Sequence, residues 1–176
     1  MPSPPILVLT GASGVGKTTL LRALAARELP DVACYHFDSI GVPSTEEMTA
    51  TFGSPEAWQV KMTNAWIARL AGNTTDSRIA VLEGQIRPSV VRDAFLRAGV
   101  RSGQIVLLDC EPVVREKRLR GSRQQPDLAS ADMAAWAAYL RGQADAMDLP
   151  ILDTTSATPD VLVDRLLRHV RALTAS

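Results

Sequence analysis

The sequence predicts an α/β fold, a parallel β-sheet covered by helices on both faces. Three observations predict it. Short apolar runs alternate with amphipathic helical stretches along the whole chain. The runs are continuously apolar rather than alternating, as strands buried on both faces are. The polar residues suited to chemistry fall just after these runs. In such sheets ligands bind beyond the carboxyl ends of the strands.

Each element has its own signal. Ile6-Leu7-Val8-Leu9 is the first apolar run, and Lys17–Arg27 follows as a helix with Leu20, Leu21, Leu24 and Ala25 on one side. Ala33-Cys34-Tyr35-His36-Phe37 reads as the second strand. Ser54-Pro55 starts a helix, with Ser as N-cap and Pro in the first turn, and Gly72-Asn73 stops it. Ile79–Leu82 is the third strand. Pro88–Ala98 is a helix with Val91, Ala94, Phe95 and Ala98 along one face, closed by Gly99. Ile105–Leu108 is the fourth strand, and Pro112 opens a helix carrying Arg115, Arg118 and Leu119. The polar stretch Gly121–Ala129 breaks that helix. Ser130–Met147 is a further helix capped by Ser130, Ile151-Leu152 a short fifth strand, and Pro159–Leu173 the last helix.

Composition narrows the classes. The 176 residues suit one compact domain spanning 1–176, and 46% hydrophobic with 22% charged residues is ordinary for a soluble globular chain. The formal net charge is zero, which argues against a general polyanion binder, so no nucleic acid is expected as partner. No stretch approaches the roughly 20 apolar residues of a membrane span. The start Met1-Pro2-Ser3-Pro4-Pro5 lacks the basic end and long apolar core of a signal peptide, and is expected to be a short disordered lead-in. Cys34 and Cys110 lie in apolar runs without metal-ligand spacing, so reduced thiols and a cytoplasmic location are expected. The composition says nothing about oligomeric state.

The most specific signal is Gly11-Ala12-Ser13-Gly14-Val15-Gly16-Lys17-Thr18, which matches G-x-x-x-x-G-K-[ST] in full, after a buried run and at a helix start. Glycines let the backbone curl so that successive N–H groups point inward at phosphate oxygens. The helix N-terminus adds partial positive charge. Lys17 is expected to reach the β- and γ-phosphates of ATP, and the Thr18 hydroxyl to ligate magnesium. Thr19 joins the ATP-binding set. Hard oxygen ligands and phosphates suit Mg2+, and no His/Cys cluster invites zinc.

Further candidates follow the other strands. Asp38 sits after the second strand, where a carboxylate would take the proton of an attacking hydroxyl. His36 shares the face of Asp38 and is read as packed or hydrogen-bonded rather than catalytic. Glu83 ends the third strand, a place suited to the water shell of magnesium, and is assigned with Thr18 to the metal. Arg87 lies four residues on and would grip an anionic acceptor through its forked donors. Arg115, Arg118, Arg120 and Arg123 cluster near a helix end, and arginines on a closing segment neutralise charge on a transferred phosphoryl. Lys17, Asp38, Arg118 and Arg123 are therefore the catalytic candidates.

In this order, P-loop, Asp38, Glu83 and the Arg118–Arg123 segment resemble the small P-loop kinases of the nucleoside monophosphate kinase type. The resemblance implies a three-layer αβα P-loop NTPase fold, a five-stranded sheet of order 2-3-1-4-5 and a mobile lid at about 118–130. It implies acceptor-side helices at about 44–72. Phe37-Asp38-Ser39 with Asp153-Thr154-Thr155 is similar to chloramphenicol phosphotransferase, where the matching Asp acts as base. Arg118-Leu119 with Arg123, followed by Tyr139-Leu140 and Gln143, is similar to gluconate kinases. Glu83-Gly84-x-x-Arg87 resembles the Asp-Gly-x-Pro-Arg signature of adenylate kinases, with Glu for Asp and Ile86 for Pro. By this resemblance Arg118 stacks on adenine, Arg123 touches phosphates, and Thr154 and Thr155 line the other side of the base. Adenine over guanine is implied likewise.

The resulting expectation is an ATP-dependent phosphotransferase that moves the γ-phosphate to a hydroxyl of a small-molecule acceptor. A nucleoside monophosphate kinase and a regulatory ATPase acting on a protein are the alternatives. Trp58, Met62 and Ala65 fall on one stripe that is expected to pack on the core, with any exposed part forming an apolar acceptor pocket.

Overall fold

The computed structural model describes residues 3–73 and 78–174. Five strands, β1 (Ile6–Thr10), β2 (Val32–His36), β3 (Ile79–Gly84), β4 (Gly103–Asp109) and β5 (Ile151–Asp153), form one parallel sheet in the order β2-β3-β1-β4-β5. This is the 2-3-1-4-5 order expected. The helices are α1 (Lys17–Ala25), α2 (Thr45–Phe52), α3 (Pro55–Gly72), α4 (Pro88–Ala98), α5 (Pro112–Arg120), α6 (Ala131–Ala146) and α7 (Pro159–Ala172).

Successive side chains of a strand point to opposite faces, so the central β1 feeds two cores. Leu7 and Leu9 join Leu20 and Leu24 of α1, Leu140 of α6, and Val163 and Leu166 of α7. Ile6 and Val8 join Trp66 and Ile67 of α3 and Val91 and Phe95 of α4 on the other face. Every β1 residue is buried, which explains its unbroken apolar run from Ile6 to Leu9. The result is three layers with the sheet in the middle.

Local chemistry sets the helix starts. Ser54, Ser130 and Thr158 each accept a hydrogen bond from the backbone N–H three residues on, satisfying an otherwise orphaned donor. α2, which was only part of the broad helical expectation over 44–72, has a full capping box. Ser44 Oγ accepts from Glu47 N at 3.2 Å, and Ser44 N donates to Glu47 Oε2 at 2.8 Å.

Three expectations are corrected. α1 ends at Ala25 rather than Arg27, because the chain turns at Glu28 (φ 49°). Met1 and Pro2 lie outside the described residues, but the rest of the lead-in is packed: Pro4 is buried, and Pro5 O accepts from Ala80 N at 2.9 Å. The stripe on α3 keeps Trp58, and Met62 packs against the core, but Ala65 is not part of it. Trp58, Trp66, Ile67 and Leu70 are buried while Ala65 is exposed, so the face that meets the sheet is rotated toward the second tryptophan.

Candidate active site

β1 delivers the chain to the rim of the sheet. Its last residue, Thr10, is buried, and its hydroxyl both accepts from Ile86 N at 3.1 Å and donates to Ile86 O. This ties the root of the P-loop to the segment that follows β3. The loop then curls into α1. Gly14 has φ +85°, and a Cβ there would lie 2.9 Å from Leu119 Cγ and 3.0 Å from Arg115 Cγ. α5 packs so closely on the outside of the loop that only glycine fits. Arg115, expected on a basic helix face, is 6% exposed for the same reason.

Lys17 is 8% exposed and its Nζ donates to Ala12 O at 3.0 Å, within the loop itself. Burial draws its pKa down to about 8, the nearby Glu83 and Asp38 charges oppose that shift, and Arg123 adds to it. A buried cation with a carbonyl as its only hydrogen-bond partner among the described residues is poorly compensated. Phosphate oxygens would complete its shell.

The charges of Glu83, on β3, and of Asp38, just after β2, both act on this lysine. His36 of β2 is in register with Glu83 of β3, so their side chains stand side by side. Glu83 Oε1 is 2.7 Å from His36 Nδ1 and accepts from Thr18 Oγ1 at 3.4 Å. Thr18 and Glu83 form a hard oxygen pair at the mouth of the P-loop. Among the described residues no group of three or more His, Cys, Asp or Glu could hold a metal alone. The Thr18–Glu83 oxygen pair fits magnesium, which takes few protein ligands and completes its shell with phosphates and waters. Asp38 lies in a single 3₁₀ turn, Phe37–Ile40, directly after β2. Asp38 is exposed, yet the surrounding protein withholds enough water to push its pKa above the usual carboxylate value. The Glu83 charge adds to this, against Lys17 and His36.

A cleft of about 500 Å³ runs from the P-loop along α1 and α7. It gathers the expected Gly14, Val15, Gly16, Thr18, Thr19, Arg118, Arg123 and Thr154. Its volume suits a small-molecule site. Arg118 and Thr154 are in direct contact here rather than on opposite walls. The guanidinium donates to Thr154 Oγ1 at 3.0 Å and to Thr154 O at 2.6 Å, and Thr154 Oγ1 donates to Val15 O at 2.7 Å. Thr155 is outside the lining; its hydroxyl accepts from Glu111 N at 3.0 Å and so closes the loop after β4. The sequence reading missed Arg22, Ala157, Pro159 and Leu162, which also line the cleft. Arg22 was legible as one turn past Thr18, and Pro159 as the start of a helix leaving the Thr154 loop.

On the other side of the P-loop a polar chain leads to Arg87. Ser13 Oγ donates to Gln85 Oε1 at 2.9 Å, Gln59 Nε2 donates to Gln85 O at 3.0 Å, and Arg87 NH1 donates to Gln59 Oε1 at 2.8 Å. Arg87 NH2 also reaches Glu56 at 3.4 Å. Its guanidinium carbon lies 4.9 Å from the Trp136 ring centroid, and Trp136 stacks on Tyr139 at 5.5 Å and 19°. These groups border an open cavity of about 430 Å³ lined by Arg87, Asp132, Ala135, Trp136 and Tyr139. Gln59, Gln85 and Trp136 carried no motif that marked them beforehand.

No family model matches the chain, and no curated protein matches it. Solved structures do. The Deinococcus radiodurans tunicamycin resistance protein aligns with a TM-score of 0.67 at 18% identity, covering 95% of both chains. Shikimate kinase from Acinetobacter baumannii, in complex with shikimate, aligns at 0.62 and 15% identity, covering 96% of this chain and 94% of that one. A gluconokinase from Sinorhizobium meliloti aligns at 0.61 and 17%, covering 98% and 95%. At these identities the likeness concerns architecture: the chain has the α/β P-loop fold found in small-molecule kinases such as shikimate kinase and gluconokinase.

Proposed function

We propose that this protein is an ATP-dependent kinase that transfers the γ-phosphate to a hydroxyl of a small-molecule acceptor, with Asp38 as base. The convergence of Lys17, Thr18, Glu83 and Asp38 at the mouth of a complete P-loop carries the reading. The P-loop N–H groups and Lys17 would hold the phosphates. Thr18 and Glu83 would hold magnesium, which when bound supplies charge neutralisation at the phosphate oxygens. Asp38 would accept the acceptor's proton, a role contributing about 10²–10⁴-fold. Arg118 and Arg123 line the cleft, and in the proposed lid at about 118–130 Arg123 would meet charge on the moving phosphoryl. Two free cysteines are compatible with a cytoplasmic setting. Among the described residues no helix is long and apolar enough to cross a membrane.

The acceptor would lie between Asp38 and the Arg87–Trp136 wall, flanked by α2 and α3. An acceptor phosphate on Arg87 is the alternative, a nucleotide kinase. Arg87 already serves Gln59 and Glu56, so such a phosphate would have to displace Glu56. This favours an acceptor without a phosphate, and the aromatic wall favours one with an apolar ring. A screen of nucleosides, nucleoside monophosphates, sugar acids and hydroxylated antibiotics by ADP release tests the reading. Acceptor-dependent ADP release that Asp38→Asn abolishes, with ATP still bound, is expected. Normal turnover in that variant refutes the base. Hydrolysis raised only by a protein points instead to a regulatory ATPase.

A further inference from the structure

The arrangement around Glu83 goes one step further. Its Oε1 is held from two sides, by His36 Nδ1 at 2.7 Å and by Thr18 Oγ1 at 3.4 Å. Its Oε2 takes no hydrogen bond from the described residues and is not sealed from solvent. Glu83 is 8% exposed, so the packing around it leaves the carboxylate little freedom. The shorter of the two contacts comes from His36, and the parallel register of β2 and β3 builds it.

We infer that His36 is a positioning residue for magnesium: it donates through Nδ1 to the Glu83 oxygen that also meets Thr18, and so holds that carboxylate beside the Thr18 hydroxyl, the other proposed metal donor. The inference rests on the proposed metal role of Glu83. A carboxylate only accepts hydrogen bonds, so the short contact requires the proton on Nδ1. Fixing one oxygen removes the rotation that would let Glu83 swing toward the Lys17 charge. It thereby separates the tasks of the two acids. Glu83 stays on the metal side, and Asp38, two residues from His36, stays free for the acceptor. Outer partners of this kind typically change metal affinity by about 10–100-fold when removed.

Calorimetric binding of ADP, with and without Mg2+, reads this without turnover. In the wild type magnesium tightens ADP binding. His36→Leu keeps the bulk and removes the donor, and His36→Ala is a second, smaller variant. Both are expected to lose about tenfold of the magnesium-dependent gain, with magnesium-free ADP binding unchanged. His36→Asn, which places an N–H near the position of Nδ1, is expected to restore it. A full magnesium gain in both loss variants overturns the inference if Glu83→Gln loses that gain. If Glu83→Gln also keeps it, the metal reading of Glu83 fails and this inference fails with it. Equal loss of magnesium-free binding in the His36 variants, unrescued by Asn, makes His36 a fold residue and also overturns it.

Discussion

A methyl group on Gly84 would lie 2.6 Å from Cβ of Phe37, so the last residue of β3 and the residue before Asp38 leave no space between them. Phe37 cannot easily retreat. Its ring meets Trp58 edge-on at 5.9 Å, and its carbonyl accepts from Trp66 Nε1 at 3.2 Å. Gly84→Ala should therefore push Phe37, and Asp38 with it, out of line. Overpacking of this kind costs about 1–3 kcal/mol. Turnover with an identified acceptor should fall while ATP affinity holds. Calorimetric titration with ATP, set beside ADP release, separates the two effects. Unchanged turnover would show that Asp38 needs no support from β3.

Lys17 gives a prediction about protons. Its pKa in the free protein is drawn down to about 8 by burial, and bound phosphates should raise it again. Below pH 8 the lysine already carries its charge, so nucleotide affinity should be flat with pH. Above pH 8 each binding event must take a proton from solvent, so affinity should fall as pH rises. Calorimetry at pH 8.5 in buffers of different ionisation enthalpy should register net proton uptake, absent in Lys17→Met. Zero uptake would contradict the lowered value.

For Asp38 the sign runs toward acid. A base must be ionised to act, and this carboxyl is pushed up by burial and by Glu83. The acid limb of kcat/KM should therefore lie above the ordinary aspartate range. Glu83→Gln removes the like charge and should move that limb to lower pH, whatever it does to the height of the profile. A limb that stays in place would mean that the limb reports a group other than Asp38.

Thr154 links Arg118 to the P-loop, and it is 2% exposed. Thr154→Val keeps the shape but strands Val15 O and one donor of Arg118. A buried polar group left unpaired costs about 1–3 kcal/mol. The thermal midpoint should drop by several degrees. ADP affinity should weaken as well, because Arg118 loses its anchor in the proposed nucleotide cleft. Thermal unfolding and ADP titration test this, and an unchanged ADP affinity would confine Thr154 to stability.

The proposed nucleotide side of the site was more legible than the proposed acceptor side, for a physical reason. A phosphate cradle is built from consecutive residues, because adjacent backbone N–H groups make it, so Gly11–Thr18 announces itself as a motif. A wall for an acceptor is assembled from side chains on separate helices. Gln59, Arg87 and Trp136 meet from α3, the loop after β3, and α6; the place of Arg87 after Glu83 marked it, but no spacing marked Gln59 or Trp136 as its partners. Thr155 illustrates the limit from the other direction. It follows Thr154 in the chain, but its hydroxyl faces Glu111 while that of Thr154 faces Val15.

Local patterning alone determined the alternation of strands and helices, the caps at Ser54 and Ser130, and the P-loop with Lys17 and Thr18, since each depends on neighbours within a few residues. Tertiary structure decided which side chains became partners. His36 reaches Glu83 only because β2 and β3 lie side by side in register, and Arg118 reaches Thr154 only because β5 closes the edge beside β4. Contacts across 47 and 36 residues depend on how whole layers pack, and no short window of sequence encodes that.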